Sequence, residues 1–215
     1  MEEQRIIKLL RSKLGQCKHV LVIGDIMLDE TINGTSDRLS PEAPIPVIIY
    51  NSKTQSLGGA GNVARNVKSM GANCTIIYAR ADDETGQKIS SLLTQDTIEQ
   101  YPVISGEVTT KKTRIHANSA QIARVDYEII NPIPVEKIMK NIHVACKNVK
   151  FDACIISDYQ KGVVNDVKKI IHFFKKLDIP VIVDPKSSKL NNYAGATFVT
   201  PNLRELRNLS GKTLA

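Results

Sequence analysis

Aspartate residues end three of the apolar runs that resemble buried strands in this sequence. Asp25 ends "HVLVIGD", Asp158 ends "ACIISD" and Asp184 ends "VIVD". In an open parallel sheet the carboxyl ends of the strands lie along one edge, and ligands bind there. Because a carboxylate can accept hydrogen bonds from two hydroxyl groups at once, the shared position of these acids predicts a site for a polar ligand.

A glycine-rich segment, "LGGAGNVARNVKSMGA", occupies residues 57–72. Glycine permits positive φ angles and lets another group come close to the backbone. Val63 and Val67 follow at helical spacing, so Asn62 is expected near a helix N-terminus, whose free N–H groups favour a polar or anionic partner. The alternative is a tight loop that only caps a core helix, and this segment alone does not decide between the two.

A predicted hairpin over residues 106–126 carries a row of basic side chains. Lys112, Arg114 and His116 share one face of its first arm by the two-residue period of a strand, and Arg124 on the return arm can join them. Charges of this kind can simply protect an exposed edge strand from aggregation. A small sheet that stands off an α/β core can also form a lid, and both interpretations remain open here.

Strands and helices alternate along most of the chain, which is typical of a parallel sheet covered by helices. The segment "APIPVIIY" at residues 43–50 is interrupted by proline and is expected at an edge or outside the main sheet. The patterns predict strands at residues 19–25, 74–80, 153–158, 181–184 and 197–200, and helices near 86–94, within 135–149 and over 164–174.

Charge and composition narrow the class of partner. The formal net charge of +7 favours an anionic partner, either nucleic acid or a small phosphorylated molecule. Aromatic residues make up only 5% of the chain, too few for a base-stacking platform, so nucleic acid is not expected. No apolar run approaches the ~20 residues of a membrane span, and the charged start "MEEQRIIKLLRSKLGQ" lacks the features of a signal peptide. The sequence predicts a cytoplasmic protein with no membrane partner.

The four cysteines do not suggest a disulfide framework or a zinc site. Cys17, Cys74, Cys146 and Cys154 form no CxxC pair and lie mostly in apolar surroundings. Reduced core thiols are therefore expected, and the scattered histidines add no His/Cys metal cluster.

Six motifs in order resemble those of the ribokinase-like (PfkB) sugar kinases. They are "GDIMLD" from Gly24, "RLSPEAPIPV" from Arg38, "GGAGNVARNV" from Gly58, "SDYQKG" from Ser157, "DPK" from Asp184 and "TPNLRE" from Thr200. The combination is most similar to the D-glycero-D-manno-heptose 7-phosphate kinases, including the kinase half of bifunctional heptose kinase/adenylyltransferases. The resemblance implies an α/β ribokinase-like parallel-sheet sandwich with a small β lid, whose segments are about 31–50 and 102–128. It also implies dimerisation through the lid.

The resemblance implies a role for each matching residue. The anomeric hydroxyl of a heptose 7-phosphate would receive the γ-phosphoryl group of ATP, in the synthesis of ADP-heptose for lipopolysaccharide. The implied substrate-binding residues are Asp25, Asp29, Arg38, Gly58, Gly59, Asn62, Lys112, Arg114, Arg124 and Asp158, with the basic ones placed at the substrate phosphate. The implied residues for ATP and Mg²⁺ are Asp184, Lys186, Asn202, Leu203, Arg204 and Glu205, with Glu205 acting on the metal through water.

The sequence lacks one motif of the family pattern, and this affects the kinase activity that we expect. These kinases carry a "GAGD" stretch that supplies an anion hole and the aspartate base, and this sequence does not contain it. The resemblance implies that the base would lie beyond Ala215, so no catalytic residue is expected within the chain. Residues 1–215 are therefore expected to be the N-terminal part of one kinase domain, without its C-terminal third, and to have little or no kinase activity alone. Two alternatives stay open: another ribokinase-like sugar kinase, and a non-catalytic remnant that binds a sugar phosphate.

Overall fold

The structure, a computed structural model, describes residues 19–186 and 189–210. Its strands are β1 (His19–Gly24), β2 (Ile26–Thr35), β3 (Ile49–Gly59), β4 (Asn73–Arg80), β5 (Glu99–Ile104), β6 (Lys111–Ala117), β7 (Ala120–Tyr127), β8 (Ala153–Ser157), β9 (Val181–Asp184) and β10 (Phe198–Val199). Its α-helices are α1 (Ala60–Ser69), α2 (Glu84–Gln95), α3 (Val135–Asn148), α4 (Val167–Lys176) and α5 (Leu203–Ser210), and a 3-10 helix covers Leu190–Tyr193.

Six parallel strands form the main sheet in the order β10-β9-β8-β1-β4-β5. The central strand β1 pairs with β4 on one side and with β8 on the other, so that Val22 lies opposite both Ile76 and Ile155. The five strands expected from apolar runs are confirmed. β5 was not expected, because its sequence "EQYPVI" contains a proline; as an edge strand it tolerates the missing N–H donor.

Both faces of the main sheet are buried, which explains why its strands are continuously apolar. On one face Leu21 and Ile23 pack in a core with residues of α3 and α4, among them Ile138 and Phe174. On the other face Val20 and Val22 and their neighbours pack with α1 and α2. The predicted α/β sandwich is confirmed.

The second sheet has the strand order β3-β2-β6-β7. β2 pairs antiparallel with β3 and parallel with β6, and β6 and β7 form the predicted hairpin. Its turn lies at Asn118 and Ser119, whose φ angles are +50° and +68°. β3 was not predicted, because its residues 51–56 are polar; the segment 43–50 contributes only the start of this edge strand and an isolated bridge between Leu39 and Pro46.

The two sheets meet at Asp25, which is the one residue between β1 and β2. The second sheet therefore begins at Ile26, before the predicted lid segment, and includes β3 as far as Gly59. This arrangement places the carboxyl edge of the main sheet beside the inner end of the second sheet.

Two expectations concern membranes and thiols. No helix in residues 19–186 and 189–210 is both long and apolar enough to cross a membrane. Cys74, Cys146 and Cys154 are free thiols, and Cys74 and Cys154 are buried, as expected for core cysteines. Cys17 lies outside the described residues.

Candidate sugar-phosphate site at the junction of the two sheets

An ion pair between Asp29 and Arg114 lies on one face of the second sheet. Arg114 Nη1 donates to Asp29 Oδ1 over 2.8 Å, and the side chains of Arg114 and Asp29 remain 33% and 29% exposed. Lys112 lies opposite Asp29 in the register of β2 and β6, and therefore shares this face. The face combines a carboxylate acceptor with two cations, which suits a ligand that carries both hydroxyl groups and negative charge.

The glycine pair of the segment at residues 57–72 lies directly against Asp29 and Asp25. A Cβ on Gly58 would come within 2.3 Å of Asp29 Oδ2, and one on Gly59, whose φ is +56°, would come within 2.3 Å of the Asp25 carbonyl oxygen. The Ala60 N–H then donates to that carbonyl over 2.9 Å. The close neighbours of these glycines are thus the chain's own Asp29 and Asp25. Asn62 lies in the first turn of α1 with an exposed side chain.

The Asp25 side chain is engaged by the loop that follows β8. Its Oδ2 accepts hydrogen bonds from the N–H groups of Tyr159 (2.9 Å) and Lys161 (3.0 Å), and its Oδ1 accepts one from Val163 (3.0 Å). The side chain is buried, and burial raises the pKa of its carboxyl, although the three N–H donors oppose this shift. All three of these donors are backbone N–H groups, and a contact between Asp25 and sugar hydroxyls stays a prediction.

Asp158 is also buried and hydrogen bonded. Its Oδ1 accepts from the Gln160 N–H over 2.9 Å, and its Oδ2 accepts from the Tyr193 hydroxyl over 2.7 Å. Its own N–H donates to the Asp184 carbonyl over 3.0 Å. Asp158 therefore joins the ends of β8 and β9, the two strands on which the sugar side and the nucleotide side were predicted.

Arg124 belongs to the basic face but has an internal partner. It lies directly opposite Arg114 in the hairpin and is exposed, and its guanidinium binds both carboxylate oxygens of Asp126. That contact lowers the pKa of the Asp126 carboxyl below its ordinary value. Lys161 Nζ pairs with Glu128 Oε2 over 2.7 Å. Asp126 and Glu128 were not predicted from the sequence, although Asp126 ends the predicted hairpin and Glu128 follows two residues later.

Two further members of the predicted basic group are placed at its edges. Arg38 is exposed in the loop between β2 and β3, and its carbonyl accepts from the Val47 N–H over 3.1 Å. His116 is half-buried at the outer end of β6, opposite Asn33. The structure thus brings Lys112, Arg114 and Arg124 together and leaves Arg38 on a separate loop.

Four of the predicted nucleotide residues line a cleft of about 330 Å³. At its far side Asn202 and Glu205 form a reciprocal cap at the start of α5. The Glu205 N–H donates to Asn202 Oδ1, and the Asn202 N–H donates to Glu205 Oε2, each over 2.9 Å. Leu203 and Arg204, also in the first turn of α5, are exposed. The lining of the cleft is Asp158, Tyr159, Asp184, Pro185, Lys186, Thr200, Asn202 and Glu205.

The electrostatics of this cleft are dominated by carboxylates. Burial raises the pKa of Asp184, and the nearby Glu205 carboxylate raises it further, while Lys186 opposes both. Lys186 Nζ lies 3.6 Å from Glu205 Oε1. Burial raises the pKa of Tyr159, and the charges of Asp184, Glu205 and Asp29 raise it further.

No cluster of three or more His, Cys, Asp or Glu side chains capable of holding a metal ion occurs in the described ranges 19–186 and 189–210. Glu205 Oε2 is occupied by the helix cap, whereas its Oε1 faces Lys186 at a longer distance. These residues can act on a hydrated cation through water, as Mg²⁺ commonly requires, and do not form a direct coordination shell.

The catalytic base was expected outside the chain, beyond Ala215. Ala215 itself lies outside the described residues, which end at residue 210 on α5. The position of the base therefore stays a prediction, and the site described here consists of binding groups on the two sheets and α5.

A family model described as "pfkB family carbohydrate kinase" matches residues 18–215. The chain belongs to the pfkB family of carbohydrate kinases. Solved structures agree with the pfkB fold: a carbohydrate kinase from Agrobacterium tumefaciens superimposes with a TM-score of 0.70 at 20% identity, covering 90% of this chain and 64% of that one. The tetrameric inhibited form of phosphofructokinase-2 from Escherichia coli gives a TM-score of 0.71 at 19% identity, covering 93% and 66%.

More similar pfkB relatives are found by sequence. The D-beta-D-heptose 7-phosphate kinase of Bordetella bronchiseptica is 40% identical over 194 residues, which cover 90% of this chain and 62% of that protein. The bifunctional protein HldE of Haemophilus influenzae strain PittEE is 37% identical over 195 residues, covering 90% and 40%. The chain thus spans about two-fifths to three-fifths of the length of these relatives.

Proposed function

We propose that this chain is the sugar-binding part of an ATP-dependent kinase that phosphorylates the anomeric hydroxyl of D-glycero-D-manno-heptose 7-phosphate. The product would be the bisphosphate, used to make ADP-heptose for the lipopolysaccharide core. Similarity to a D-beta-D-heptose 7-phosphate kinase supports this substrate. The observation that carries the proposal is the Asp29–Arg114 pair, because it presents an acceptor for sugar hydroxyls and a cation for a phosphate side by side.

The sugar would lie between the glycine segment and the second sheet. Asp29 Oδ2, which faces Gly58, would accept hydrogen bonds from sugar hydroxyls. Backbone groups of Gly58 and Gly59 and the exposed Asn62 amide would contact other sugar oxygens. Asp158 is buried, and each of its carboxylate oxygens already accepts a hydrogen bond. It would therefore support the sugar side of the site indirectly.

The phosphate already on the substrate would bind the basic face. Arg114 can turn part of its planar guanidinium toward a phosphate while it keeps one bond to Asp29, and Lys112 adds a second charge on the same face. Arg124 is exposed and would exchange part of its contact with Asp126 for the phosphate. Arg38 would approach from the loop between β2 and β3.

The cleft at the ends of β9 and β10 would hold the nucleotide. Asp184, Lys186, Asn202 and Glu205 line it, and Leu203 and Arg204 follow on α5. A bound Mg²⁺ would neutralise charge on the ATP phosphates, and Glu205 would reach it through water. Lys186 would approach the phosphates from the other wall of the cleft.

Two further expectations from the sequence remain predictions. The first is a homodimer formed through the second sheet, whose edge strands β3 and β7 carry exposed apolar side chains such as Tyr50 and Tyr127. The second is a cytoplasmic location. Sedimentation of the purified chain would test the dimer, and a variant with Tyr50→Ser and Tyr127→Ser would be monomeric if these residues form the contact.

The test of the substrate is isothermal titration of the chain with D-glycero-D-manno-heptose 7-phosphate, with and without Mg·ATP. We expect saturable binding that Asp29→Asn weakens by about tenfold or more, the effect of losing a charged hydrogen-bond partner. Asp96→Asn is the control, because Asp96 pairs with Arg65 at the surface. Equal or tighter binding of ribose or fructose phosphates would indicate another sugar kinase, and no binding by a folded chain would contradict the proposal.

A further inference from the structure

We propose that Tyr193 is a positioning residue whose hydroxyl fixes the sugar side and the nucleotide side of the site relative to each other. What the two sides bind rests on the proposed function, whereas the link itself is a property of the chain. Tyr193 was not among the residues identified from the sequence, because its neighbours in "KLNNYAGAT" form no motif with recognisable chemistry.

The tyrosine is placed so that it cannot touch a ligand itself. It ends the 3-10 helix Leu190–Tyr193, is only 2% exposed, and packs in the same core as α4. Its hydroxyl donates to Asp158 Oδ2 over 2.7 Å and accepts from the Lys186 N–H over 3.3 Å. One oxygen atom therefore bonds to a residue after β8 and to a residue after β9.

The two hydrogen-bond partners of Tyr193, Asp158 and Lys186, are each connected to further residues of the site. On the sugar side, Asp158 precedes the loop whose N–H groups at Tyr159, Lys161 and Val163 bind the Asp25 carboxylate. The Asp25 carbonyl in turn accepts from the Ala60 N–H, beside Gly59. Hydrogen bonds joined by short stretches of backbone thus connect Tyr193 to the glycine segment.

On the nucleotide side, Lys186 follows the turn after Asp184 and reaches toward Glu205, the capping residue of α5. The Asp158 N–H also donates to the Asp184 carbonyl, so the two strand ends share one backbone hydrogen bond besides the tyrosine link. Removal of the tyrosine hydroxyl would leave the backbone bond and free both Asp158 Oδ2 and the Lys186 N–H. Tyr193→Phe therefore removes the link while it keeps the aromatic packing.

Amide hydrogen exchange on the full chain tests the link without any ligand. In Tyr193→Phe we expect the amides of residues 158–163 and of Lys186 to exchange about threefold to tenfold faster, the range that corresponds to one or two lost hydrogen bonds. Tyr101→Phe is the matched control. Tyr101 lies on β5 at the opposite edge of the main sheet, where its hydroxyl donates to Glu99 Oε1 and accepts from Asn148. Faster exchange in only one segment, or equal effects in both variants, would overturn the proposal.

Ligand titration is a second, independent test of the Tyr193 link. We expect Tyr193→Phe to weaken the binding of heptose 7-phosphate and of Mg·ADP by similar factors, although the hydroxyl touches neither, and Tyr101→Phe to change neither. A loss confined to one ligand would contradict the link between the two sides. If the unaltered chain binds neither ligand, the proposed function fails, and the exchange result alone decides whether Tyr193 fixes the two loops.

Discussion

Arg114 Nη1 lies 2.8 Å from Asp29 Oδ1, yet each side chain keeps about a third of its surface in solvent. An ion pair this exposed contributes little to folding stability, since water and salt screen it. The remaining guanidinium and carboxylate atoms of the two residues stay accessible to a ligand. A substitution in this pair is therefore expected to change ligand binding while it changes folding stability little.

We therefore expect Arg114→Lys to lower the affinity for heptose 7-phosphate by about tenfold, because an ammonium group cannot hold Asp29 and a phosphate with one planar fork. The melting temperature should change by no more than about 2 °C. Arg65→Lys, at the surface pair with Asp96, is the control for a lost guanidinium. Titration and thermal unfolding measure the two quantities, and unchanged affinity would show that Arg114 does not meet the substrate.

Gly58→Ala should impair sugar binding, since the new Cβ would lie 2.3 Å from Asp29 Oδ2 and would force the carboxylate aside. Gly61→Ala is the matched control in the same segment. The nearest neighbours of its Cβ would be apolar, Ile26 Cδ1 at 2.9 Å and Leu57 Cβ at 3.0 Å, within a helix where alanine is favoured. We expect a loss of affinity of about tenfold or more for the first variant and less than about threefold for the second. Equal losses of affinity in the two variants would mean that the space beside Asp29 is not the reason why glycine is needed at position 58.

The pH dependence of stability should report on Asp184. Burial and the Glu205 charge raise its pKa above the ordinary 3.8, so the folded chain binds this proton more tightly than the unfolded chain. The stabilisation that Asp184 contributes is fully present below its ordinary pKa of 3.8. It is lost as the pH rises through the raised pKa of the folded chain. As the pH rises from 3.8 through the raised pKa of Asp184, Asp184→Asn should therefore gain free energy of unfolding relative to the unaltered chain. Denaturant unfolding measures this, with exposed Asp37→Asn as a control that should show no such trend.

Two substitutions at the start of α5 separate capping from nucleotide binding. Asn202→Ala removes a side-chain cap and should cost about 1 kcal/mol of stability. Glu205→Gln keeps an oxygen that can accept from the Asn202 N–H, so the cap should survive while the negative charge is lost. We expect Glu205→Gln to weaken Mg·ADP binding with little change in unfolding. Unaltered binding would exclude a role for the Glu205 charge at the metal.

The described cysteines should differ in reactivity. Burial raises the pKa of Cys74 to about 12 and also raises the pKa of Cys154 well above its ordinary value, so both remain thiols near neutral pH. Cys146 is only half-buried, and burial raises its pKa as well. In a Cys17→Ser background, a maleimide reagent should label Cys146 well before the other two, as peptide mass analysis would detect. Early labelling of Cys74 would indicate that the α1 side of the sheet opens.

The main sheet could be predicted from the sequence because it depends on short patterns. Apolar runs that end in aspartate identify buried parallel strands and the edge at which their carboxyl ends lie. β3 escaped prediction because its residues 51–56 are polar and mostly exposed, and its pairing with β2 depends on distant residues. Local periodicity carries no information about such an edge strand.

The partners of each side chain were less predictable than its position. Asp25 lies at the strand end where the sequence placed it, but the donors that bind it come from residues 159–163, far along the chain. Tyr193 has no motif at all, and its role depends on two loops that meet only in the folded chain. Motifs identify which residues carry chemistry, whereas packing decides which of them face a ligand and which support the others.

The single residue between β1 and β2 also limits how the molecule can close over a ligand. The Asp25 N–H donates to Ser157, its carbonyl accepts from Ala60, and its carboxylate is held by three N–H groups. A hinge at this residue would break all of these bonds at once, so we expect the inner half of the second sheet to move with the main sheet as one rigid frame. Bending is expected farther out, at the irregularity between Asn33 and Gly34, where the outer tip of the second sheet begins.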